Sequence, residues 1–501
     1  MSEILWQRQL DFPVLLLLQC LPLLGAILLW LGRNRPHMIH LGRLIVVAEL
    51  ALAVHAYRHF DADQASLQFV ERLGLIGPFG YHAGADGLTI LFVLLTALIM
   101  LLVSIYTLVR GLAEPVRLLA VLLALEAALM AQLTTLNLFW FVVASAYELG
   151  LAGYLIGYWA TSPEKGRAMT RFYQFQGTGL LLMLLGALLL GWNHANASGG
   201  AWSFALLDLA ETPMPRHLGS LIFFLLFYGL AIRTPLFPLH GWLPTIVHHG
   251  NVAVAPALLL GIKTGIYGLL RFVLPVVPEA VAEWHVYVAG FAAAGVFYTA
   301  FLAFQQKNLR RLMAFAVISH TSLVVIGLFT LHPLAFQGGA LLAVNFGLAA
   351  TAMFFMIGFV YRRTHTTRLA RLGGLFDRIP FIGMTFLAGG LAIVGMPGTP
   401  GFDAVHMVLE AAIENFGALP TVAAALGNVA AAGFLLYAFQ RAFLAPRAQD
   451  GVAAVERTQP LEYLVIAIVL VVLLGTGFYL EPWQQLIEVS MKTLAARFGH
   501  G

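Results

Sequence analysis

The stretch that decides the fold runs from Gly219 to Phe272 and reads GSLIFFLLFYGLAIRTPLFPLHGWLPTIVHHGNVAVAPALLLGIKTGIYGLLRF. It is apolar enough to lie in a bilayer, yet it carries Arg233, His240 and Lys263 and a cluster of prolines between positions 235 and 244. Proline removes a backbone donor and crowds the preceding turn, so an unbroken helix cannot run through this cluster. Buried charges beside a broken helix are typical of an ion or substrate path through a membrane.

The composition of the whole chain indicates an all-α integral membrane protein. Of its 501 residues, 60% are hydrophobic and 10% are charged, and the mean hydropathy is +0.85. A soluble domain carries about 25% charged residues. The single cysteine, Cys20, excludes a disulfide framework and a cysteine-based metal site, and a net charge of +4 does not suggest a nucleic-acid partner. The first apolar run lacks a small-residue cleavage site, so we expect it to be retained as a helix.

Apolar runs of spanning length predict about fourteen transmembrane helices in one polytopic domain over residues 1–501. The seventh and twelfth runs are expected to break at prolines and to continue as half-helices near 241–249 and 402–415. The predicted spans are 13–32, 42–57, 87–109, 117–135, 137–160, 173–192, 218–240, 252–273, 284–304, 311–331, 335–361, 380–400, 420–444 and 461–480.

The distribution of basic residues supports this count. Of the 28 lysines and arginines, 19 fall in one alternating set of loops, whereas 7 fall in the other set and the termini. Cytoplasmic loops are rich in lysine and arginine, so we expect both termini on the non-cytoplasmic side of a bacterial inner membrane. The two broken spans lie five helices apart, which predicts two inverted five-helix repeats, near 117–273 and 284–444.

Few ionisable residues lie within the predicted spans, and they are candidates for a proton path. Glu148 lies in the fifth span, His240 in the seventh, Lys263 in the eighth and His320 in the tenth. Carboxylates and bases at such positions can pass a proton when their surroundings permit titration. Glu148 and Lys263 could instead pair to hold the bundle together, and either histidine could be a structural core residue. Arg233 stays protonated in proteins, so it is expected to be a fixed charge that biases its neighbours or gates the path.

A second group of ionisable residues follows the twelfth-span break. Asp403, His406, Glu410 and Glu414 recur at helical spacing and share one helix face. We expect Asp403, His406 and Glu410 to line an outer half-channel, whereas Glu414 fits a polar helix end. The adjacent histidines 248 and 249 do not face one way on a helix, so no metal site is predicted there.

Several motifs resemble the antiporter-like, proton-conducting subunits of respiratory complex I, which are related to the Mrp cation/proton antiporters. They are RTPLFPLHGWLP, LLLGIKTGIYGLLRF, YHAGADGLTILFVLLTALI, NLRRLMAFAVISHTSLVVIGLF, RLGGLF and GMPGTPGF. Within that family the chain is most similar to the M subunit (chain 4), with the character of a divergent paralogue. The resemblance implies fourteen helices, two inverted repeats and a central hydrophilic axis.

The resemblance also assigns residues on that axis. Glu148 matches the family's fifth-helix glutamate, Lys263 its eighth-helix lysine, and His240 and His320 its histidines of the seventh and tenth helices. Three positions depart from the pattern. Arg233 replaces the seventh-helix lysine, and an eleventh-helix histidine of relatives falls on Phe346. The twelfth-helix glutamate falls on Val405, for which only Asp403 or His406 could substitute.

These observations predict a proton-translocating, antiporter-like subunit of a complex I-like NADH:quinone oxidoreductase. The alternatives are a proton-conducting subunit of an inorganic-carbon accumulation complex with a zinc-containing partner, and a scaffold that no longer transports. We expect no catalytic centre, metal or cofactor in this chain, because it carries no glycine-rich phosphate loop, dinucleotide fingerprint or CxxC cluster. The expected partners are other membrane and soluble subunits, the lipid bilayer, and protons, with Na⁺ as the alternative ion.

Overall fold

The fold is that of a computed structural model, which describes residues 2–74, 77–160, 162–446 and 456–499. Eighteen helices lie in these ranges. In chain order they are α1 (Val14–Leu31), α2 (Met38–His59), α3 (Gly87–Arg110), α4 (Pro115–Thr134), α5 (Leu138–Trp159), α6 (Lys165–Ala197), α7 (Leu206–Glu211), α8 (Arg216–Arg233), α9 (Leu243–His249), α10 (Ala255–Gly268), α11 (Pro278–Phe304), α12 (Leu309–Leu328), α13 (Pro333–Thr364), α14 (Pro380–Val394), α15 (Gly401–Phe416), α16 (Ala418–Phe439), α17 (Pro460–Phe478) and α18 (Glu481–Ala495).

The predicted membrane spans are confirmed. Within the described ranges, 13 helices are long and apolar enough to cross a membrane, and α14 is a shorter apolar helix. Both predicted breaks are present, although the seventh-span helix, α8, ends at Arg233 and not at position 240. The twelfth span is α14, which ends at Val394, followed by α15 from Gly401. Arg447, one of the loop arginines in the charge count, lies outside the described residues.

Polar side chains set the starts of several helices. The Asp86 carboxylate accepts a hydrogen bond from the Thr89 N–H at the start of α3. Asn137 accepts from two N–H groups at the start of α5, and Asn308 accepts from the Arg310 N–H at the start of α12. Each cap satisfies backbone donors that a helix leaves free in its first turn.

A small sheet was missed by the all-α prediction. Strands β1 (Glu3–Leu5), β2 (Leu67–Leu73) and β3 (Tyr81–Ala85) form a sheet of order β1-β2-β3. The first pair is parallel and the second antiparallel, with Glu71 opposite Ala83. Residues 67–73 and 81–85 thus form strands, and β2 packs against α1.

Glu71 joins this sheet to the membrane bundle. Its two carboxylate oxygens accept hydrogen bonds from the backbone N–H groups of Leu15 and Leu16, each at 2.9 Å. Burial raises the pKa of Glu71 to about 7, and the two helix N–H donors lower it only in part. The side chain thus holds a carboxyl at the N-terminus of α1, where a negative charge is favourable.

The centre of the bundle is formed by α10, α12 and α13, whose spanning segments are almost wholly buried, whereas α2 and α17 lie at the periphery. The peripheral helix α17 is joined to α13 by charges. Glu462, at the start of α17, is fully buried and accepts hydrogen bonds from Arg362 at 3.4 Å and from Arg363 at 2.5 Å. The amphipathic helix α18, which the sequence analysis did not predict, packs against α3 and α13.

Candidate functional site

The break after α8 places a charged side chain inside the bundle. Arg233 is the last residue of α8, and the proline cluster prevents the helix from continuing. The indole N–H of Trp242 donates to the Ile232 carbonyl at 2.8 Å, so a carbonyl freed by the break has a partner. The broken backbone is therefore satisfied within the protein, as membrane burial requires.

Arg233 is the centre of a buried polar network. Its guanidinium forms an ion pair with Glu148 of α5 and donates to the Gln132 side-chain oxygen of α4 at 2.7 Å. It also donates to the Thr264 hydroxyl at 2.8 Å and to the Gly261 carbonyl at 3.0 Å, both on α10. The Gln132 amide in turn donates to Glu148 at 2.7 Å. Four helices thus meet at one arginine.

The network is closely packed, and both charges are desolvated. Arg233 and Glu148 are each 8% exposed, and Gln132 is fully buried. A side chain at Gly261 would not fit, because its Cβ would lie 2.2 Å from a Glu148 carboxylate oxygen. A buried ion pair of this kind is held by its additional hydrogen bonds, which satisfy the remaining donors and lone pairs.

Lys263 lies apart from this network, and the alternative in which Lys263 pairs with Glu148 is not what the structure shows, because Glu148 pairs with Arg233. Gly261 faces Glu148, and two positions further on a helix of 3.6 residues per turn points to the other side. The Lys263 ammonium lies 4.9 Å from the centre of the Phe346 ring. Lys263 is 5% exposed, and no described carboxylate lies within ion-pair distance of it. It is a buried cation held by an aromatic face.

Phe346 of α13 contacts both Lys263 and the tenth-span histidine. The ring of His320, which belongs to α12, lies 4.5 Å from the Phe346 ring and is 2% exposed. Its Nδ1 contacts the Ala316 carbonyl at 3.3 Å, and the Asn428 side chain lies close to the ring. Lys263 and His320 thus share Phe346 as a neighbour.

Two asparagines satisfy the break of the twelfth span. Asn345 of α13 donates to the Ala392 carbonyl at 2.9 Å, and Asn428 of α16 donates to the Val394 carbonyl at 2.7 Å. Both carbonyls belong to the last turn of α14, where a helix leaves its acceptors free. The side-chain oxygens of both asparagines are buried and unpartnered within the described ranges. The second break is thus lined by acceptors near the tenth-span histidine.

The other predicted path residues are more scattered. His240 is buried within the seventh-span break, where its ring stacks on Phe237 at 5.9 Å. Asp403, His406 and Glu410 lie on the exposed face of α15, on the outside of the bundle. The structure brings Glu148 and Arg233 together, and it places Lys263 and His320 in contact with Phe346, but it does not bring the α15 residues into this axis.

A cavity leads to the Arg233 network. It has an empty volume of about 800 Å³ and is lined by side chains of α5, α6, α8, α9 and α10, among them Glu148, Arg233 and Trp242. Among the described residues, no group of three or more His, Cys, Asp or Glu side chains is arranged to hold a metal ion. The Glu148 carboxylate is therefore part of the cavity wall.

A second buried ion pair lies at one end of α10. Arg271 donates to the Asp86 carboxylate at 2.5 Å and to the Tyr267 hydroxyl at 3.0 Å. Burial alone would raise the pKa of Asp86, but the charge and hydrogen bond of Arg271 outweigh it and hold that pKa below its ordinary value. The start of α3 is thereby fastened to the end of α10.

The sequence analysis missed the neutral members of these networks. Gln132, Thr264, Asn345 and Asn428 all position charged or titratable groups or satisfy the breaks. The available signal was a side-chain amide inside an apolar span, because such groups are costly in a membrane unless they are bonded. Glu49, in the second span, was also omitted from the ionisable residues.

Comparison with known proteins now identifies the family. The family model described as "NADH:quinone oxidoreductase/Mrp antiporter, TM" matches residues 135–430. The chain belongs to this family. NADH-quinone oxidoreductase subunit M of Pseudomonas aeruginosa is 30% identical, with 95% of this chain and 98% of that protein covered. Subunit M of Escherichia coli is 29% identical, with 92% and 94% covered.

A solved structure agrees with this assignment. A chain of respiratory complex I from Thermus thermophilus with bound NADH matches with a TM-score of 0.88 and 26% identity, and the match covers 97% of this chain and all of that one. This member of the NADH:quinone oxidoreductase/Mrp antiporter family therefore shares its helical architecture with a complex I subunit over nearly its whole length.

Proposed function

We propose that this chain is a proton-translocating, antiporter-like membrane subunit of a complex I-type NADH:quinone oxidoreductase. The observation that supports it best is a series of ionisable side chains buried inside the helical bundle: Glu148, Arg233, Lys263 and His320. Such groups are expensive inside a membrane and mark ion paths. The names of the relatives, subunits M of NADH-quinone oxidoreductases, supply the assembly.

In the proposed route, protons enter through the cavity at Glu148 and Arg233 on the cytoplasmic side. Arg233 cannot release its proton, so it fixes the charge beside Glu148 and sets the electrostatic field that Lys263 experiences. Lys263 is the base that titrates. His320 and the Asn428 carbonyl oxygen then lead towards the second break, and Asp403, His406 and Glu410 form the exit at the surface of α15. Both termini lie on the non-cytoplasmic side, and residues 117–273 and 284–444 form the two inverted repeats.

The test uses the whole assembly, purified from its native membrane and placed in sealed vesicles with a pH-sensitive dye. In a Lys263→Ala variant, fewer protons should move per NADH oxidised. The control is Lys307→Ala, because Lys307 is exposed outside the bundle. An unchanged proton ratio in Lys263→Ala would refute transport through Lys263. Replacing Na⁺ by choline should leave the ratio unchanged, and a loss would assign Na⁺ instead.

One observation favours a second candidate, a scaffold that does not transport. The permanent charge of Arg233 pairs with the carboxylate of Glu148, and the bulky ring of Phe346 packs against both Lys263 and His320. For a scaffold, a Glu148→Gln, Lys263→Ala double variant would retain full proton transport by the assembly. Mass spectrometry of co-purifying proteins would identify the assembly: hydrophilic subunits that oxidise NADH support complex I, whereas one large zinc-binding partner indicates inorganic-carbon uptake.

A further inference from the structure

Two buried carboxyls lie outside the proposed proton path. Glu49 belongs to α2 and Glu126 to α4, and both side chains are fully buried. No oxygen of either carboxyl has a hydrogen-bond partner within the described residues. Buried polar groups are normally hydrogen-bonded, so a buried carboxyl without a partner is a candidate for holding a proton. The two residues lie near the middle of their helices and therefore near the middle of the bilayer.

The packing of α2 on α4 brings the two carboxyls together. A Cβ at Gly42 of α2 would lie 2.4 Å from the Leu119 side chain of α4, so the two helices touch there. Because a single span separates them, α2 and α4 run in the same direction. Glu49 follows Gly42 by seven residues and Glu126 follows Leu119 by seven residues, so both lie two turns further along the contact. In agreement, the charge of Glu126 acts on Glu49.

The charged and titratable groups of the surrounding helices are engaged elsewhere. No lysine, arginine or histidine among the described residues interacts electrostatically with either carboxyl. The helices packed against α2 and α4 carry titratable groups that have other neighbours. They include Cys20 of α1 near Glu71, Tyr106 of α3 bonded to the Phe355 carbonyl, Tyr154 of α5 against Trp30, Glu148 of α5 paired with Arg233, Lys263 of α10 over Phe346, and Arg271, just after α10, paired with Asp86.

We propose that Glu49 and Glu126 form a proton-binding site between α2 and α4, separate from the Glu148–Arg233 network. Two adjacent carboxylates without a counter-charge cannot both be ionised in an apolar interior, so the pair keeps at least one proton. A proton on one carboxyl turns it into a donor, and its O–H is then donated to an oxygen of the other. Loss of that proton leaves its electron pair on the carboxylate. Gln132, which serves Glu148, lies on a different face of α4 from Glu126.

The proposal is tested by reaction with dicyclohexylcarbodiimide, which adds to protonated carboxyls in apolar surroundings. The intact protein in its native membrane is labelled over a range of pH and then digested with trypsin and cyanogen bromide. Cleavage isolates each carboxyl: residues 44–58 contain Glu49 as their one acidic residue, and residues 118–130 contain Glu126 alone. Labelling of both should fall about tenfold for each pH unit above the titration midpoint, because only the protonated form reacts.

Glu462 is the matched internal control. It is as fully buried as the pair, but its oxygens are paired with Arg362 and Arg363, so it should remain unlabelled. Labelling of Glu49 or Glu126 that is no greater than that of Glu462 would overturn the proposal. Protection by Na⁺ at constant pH would also overturn it and assign the site to a metal cation. Since the wild-type protein is labelled, the test does not depend on a variant that folds.

Infrared spectroscopy supplies a second, independent measurement. The carbonyl stretch of a protonated carboxylic acid should be present in the wild-type protein and weaker in the Glu126→Gln variant. The proposed function need not hold for this test to succeed. A lowered proton ratio in Lys263→Ala together with labelling of Glu49 and Glu126 supports both proposals, whereas the same lowered ratio without labelling overturns only this one.

Discussion

The buried pair of Arg233 and Glu148 makes a prediction about stability that distinguishes a structural ion pair from two independent charges. The two perturbations are Arg233→Met, which keeps the length of the side chain, and Glu148→Gln, which keeps its shape. Each removes one charge and leaves the other buried, with both side chains only 8% exposed. The double variant removes both charges and leaves an amide among Gln132 and Thr264.

The magnitude follows from the burial. Breaking a buried ion pair on one side costs about 3–5 kcal/mol, because an uncompensated charge remains. Replacing both members costs much less, since no charge is left without a partner. We therefore expect each single variant to lose about 3–5 kcal/mol of unfolding free energy and the double variant to lose less than either. Arg233→Met should recover part of its loss at low pH, because Glu148 can take up a proton. Glu148→Gln should show no such recovery of stability, because arginine cannot become neutral by losing a proton.

The assay is chemical unfolding of the purified chain in detergent micelles, followed by circular dichroism at several pH values. The matched control is the surface pair of Arg216 and Glu283, which are 3.1 Å apart with Arg216 largely exposed. Variants of that pair should leave stability nearly unchanged, because an exposed ion pair is screened by solvent. Additive losses at Arg233 and Glu148, or equal pH responses of the two single variants, would refute the reasoning.

Three further outcomes follow from the same structure. Lys263→Arg should keep a cation over Phe346 but lower the number of protons moved per NADH in the vesicle assay as far as Lys263→Ala does, because arginine does not titrate; an unchanged ratio would contradict the role of Lys263 as the base. Burial raises the pKa of Glu71 to about 7 from 4.5. The stabilising effect of the protonated side chain is therefore fully present below the lower value and is lost as pH rises through about 7. In Glu71→Gln the midpoint temperature of unfolding should accordingly vary less with pH between about pH 5 and about pH 8. Asp86, whose pKa is held low by Arg271, stabilises the fold at neutral pH and loses that effect in acid; Asp86→Asn should cost about 3–5 kcal/mol at pH 7, and an unchanged unfolding midpoint would contradict the pairing.

Much of the architecture could be read from the sequence because a bilayer imposes strict rules on a chain. Spanning helices need long apolar runs, and prolines inside them force breaks, so the fourteen spans and both broken helices were predictable. The sheet of β1, β2 and β3 was not, because its strands are short and pair across the first two spans. Nor did apolarity indicate α18, whose amphipathic face is buried only by distant helices.

The candidate site was predictable in its members but not in its pairings. Arg233, Glu148 and Lys263 stand out as charges in apolar runs. Glu148 could have met either Arg233 or Lys263. The outcome depends on how α10 is rotated about its axis relative to α5, and the spacing of residues along one helix does not give that rotation. Gly261 is the residue that decides it, because its missing side chain lets the carboxylate approach. The outward direction of Asp403 likewise depends on how α15 packs after its break.

The contact between Glu462 and the two arginines of α13 has a consequence for biosynthesis. A ribosome delivers Arg362 and Arg363 to the membrane before it has made Glu462, so an unfinished chain holds two positive charges without their counter-charge. When α17 arrives, Glu462 neutralises them. This helix is therefore attached to the bundle by ion pairs, although it buries little of its own surface. A nonsense codon ahead of this helix should therefore yield a truncated product that membrane proteases recognise and remove.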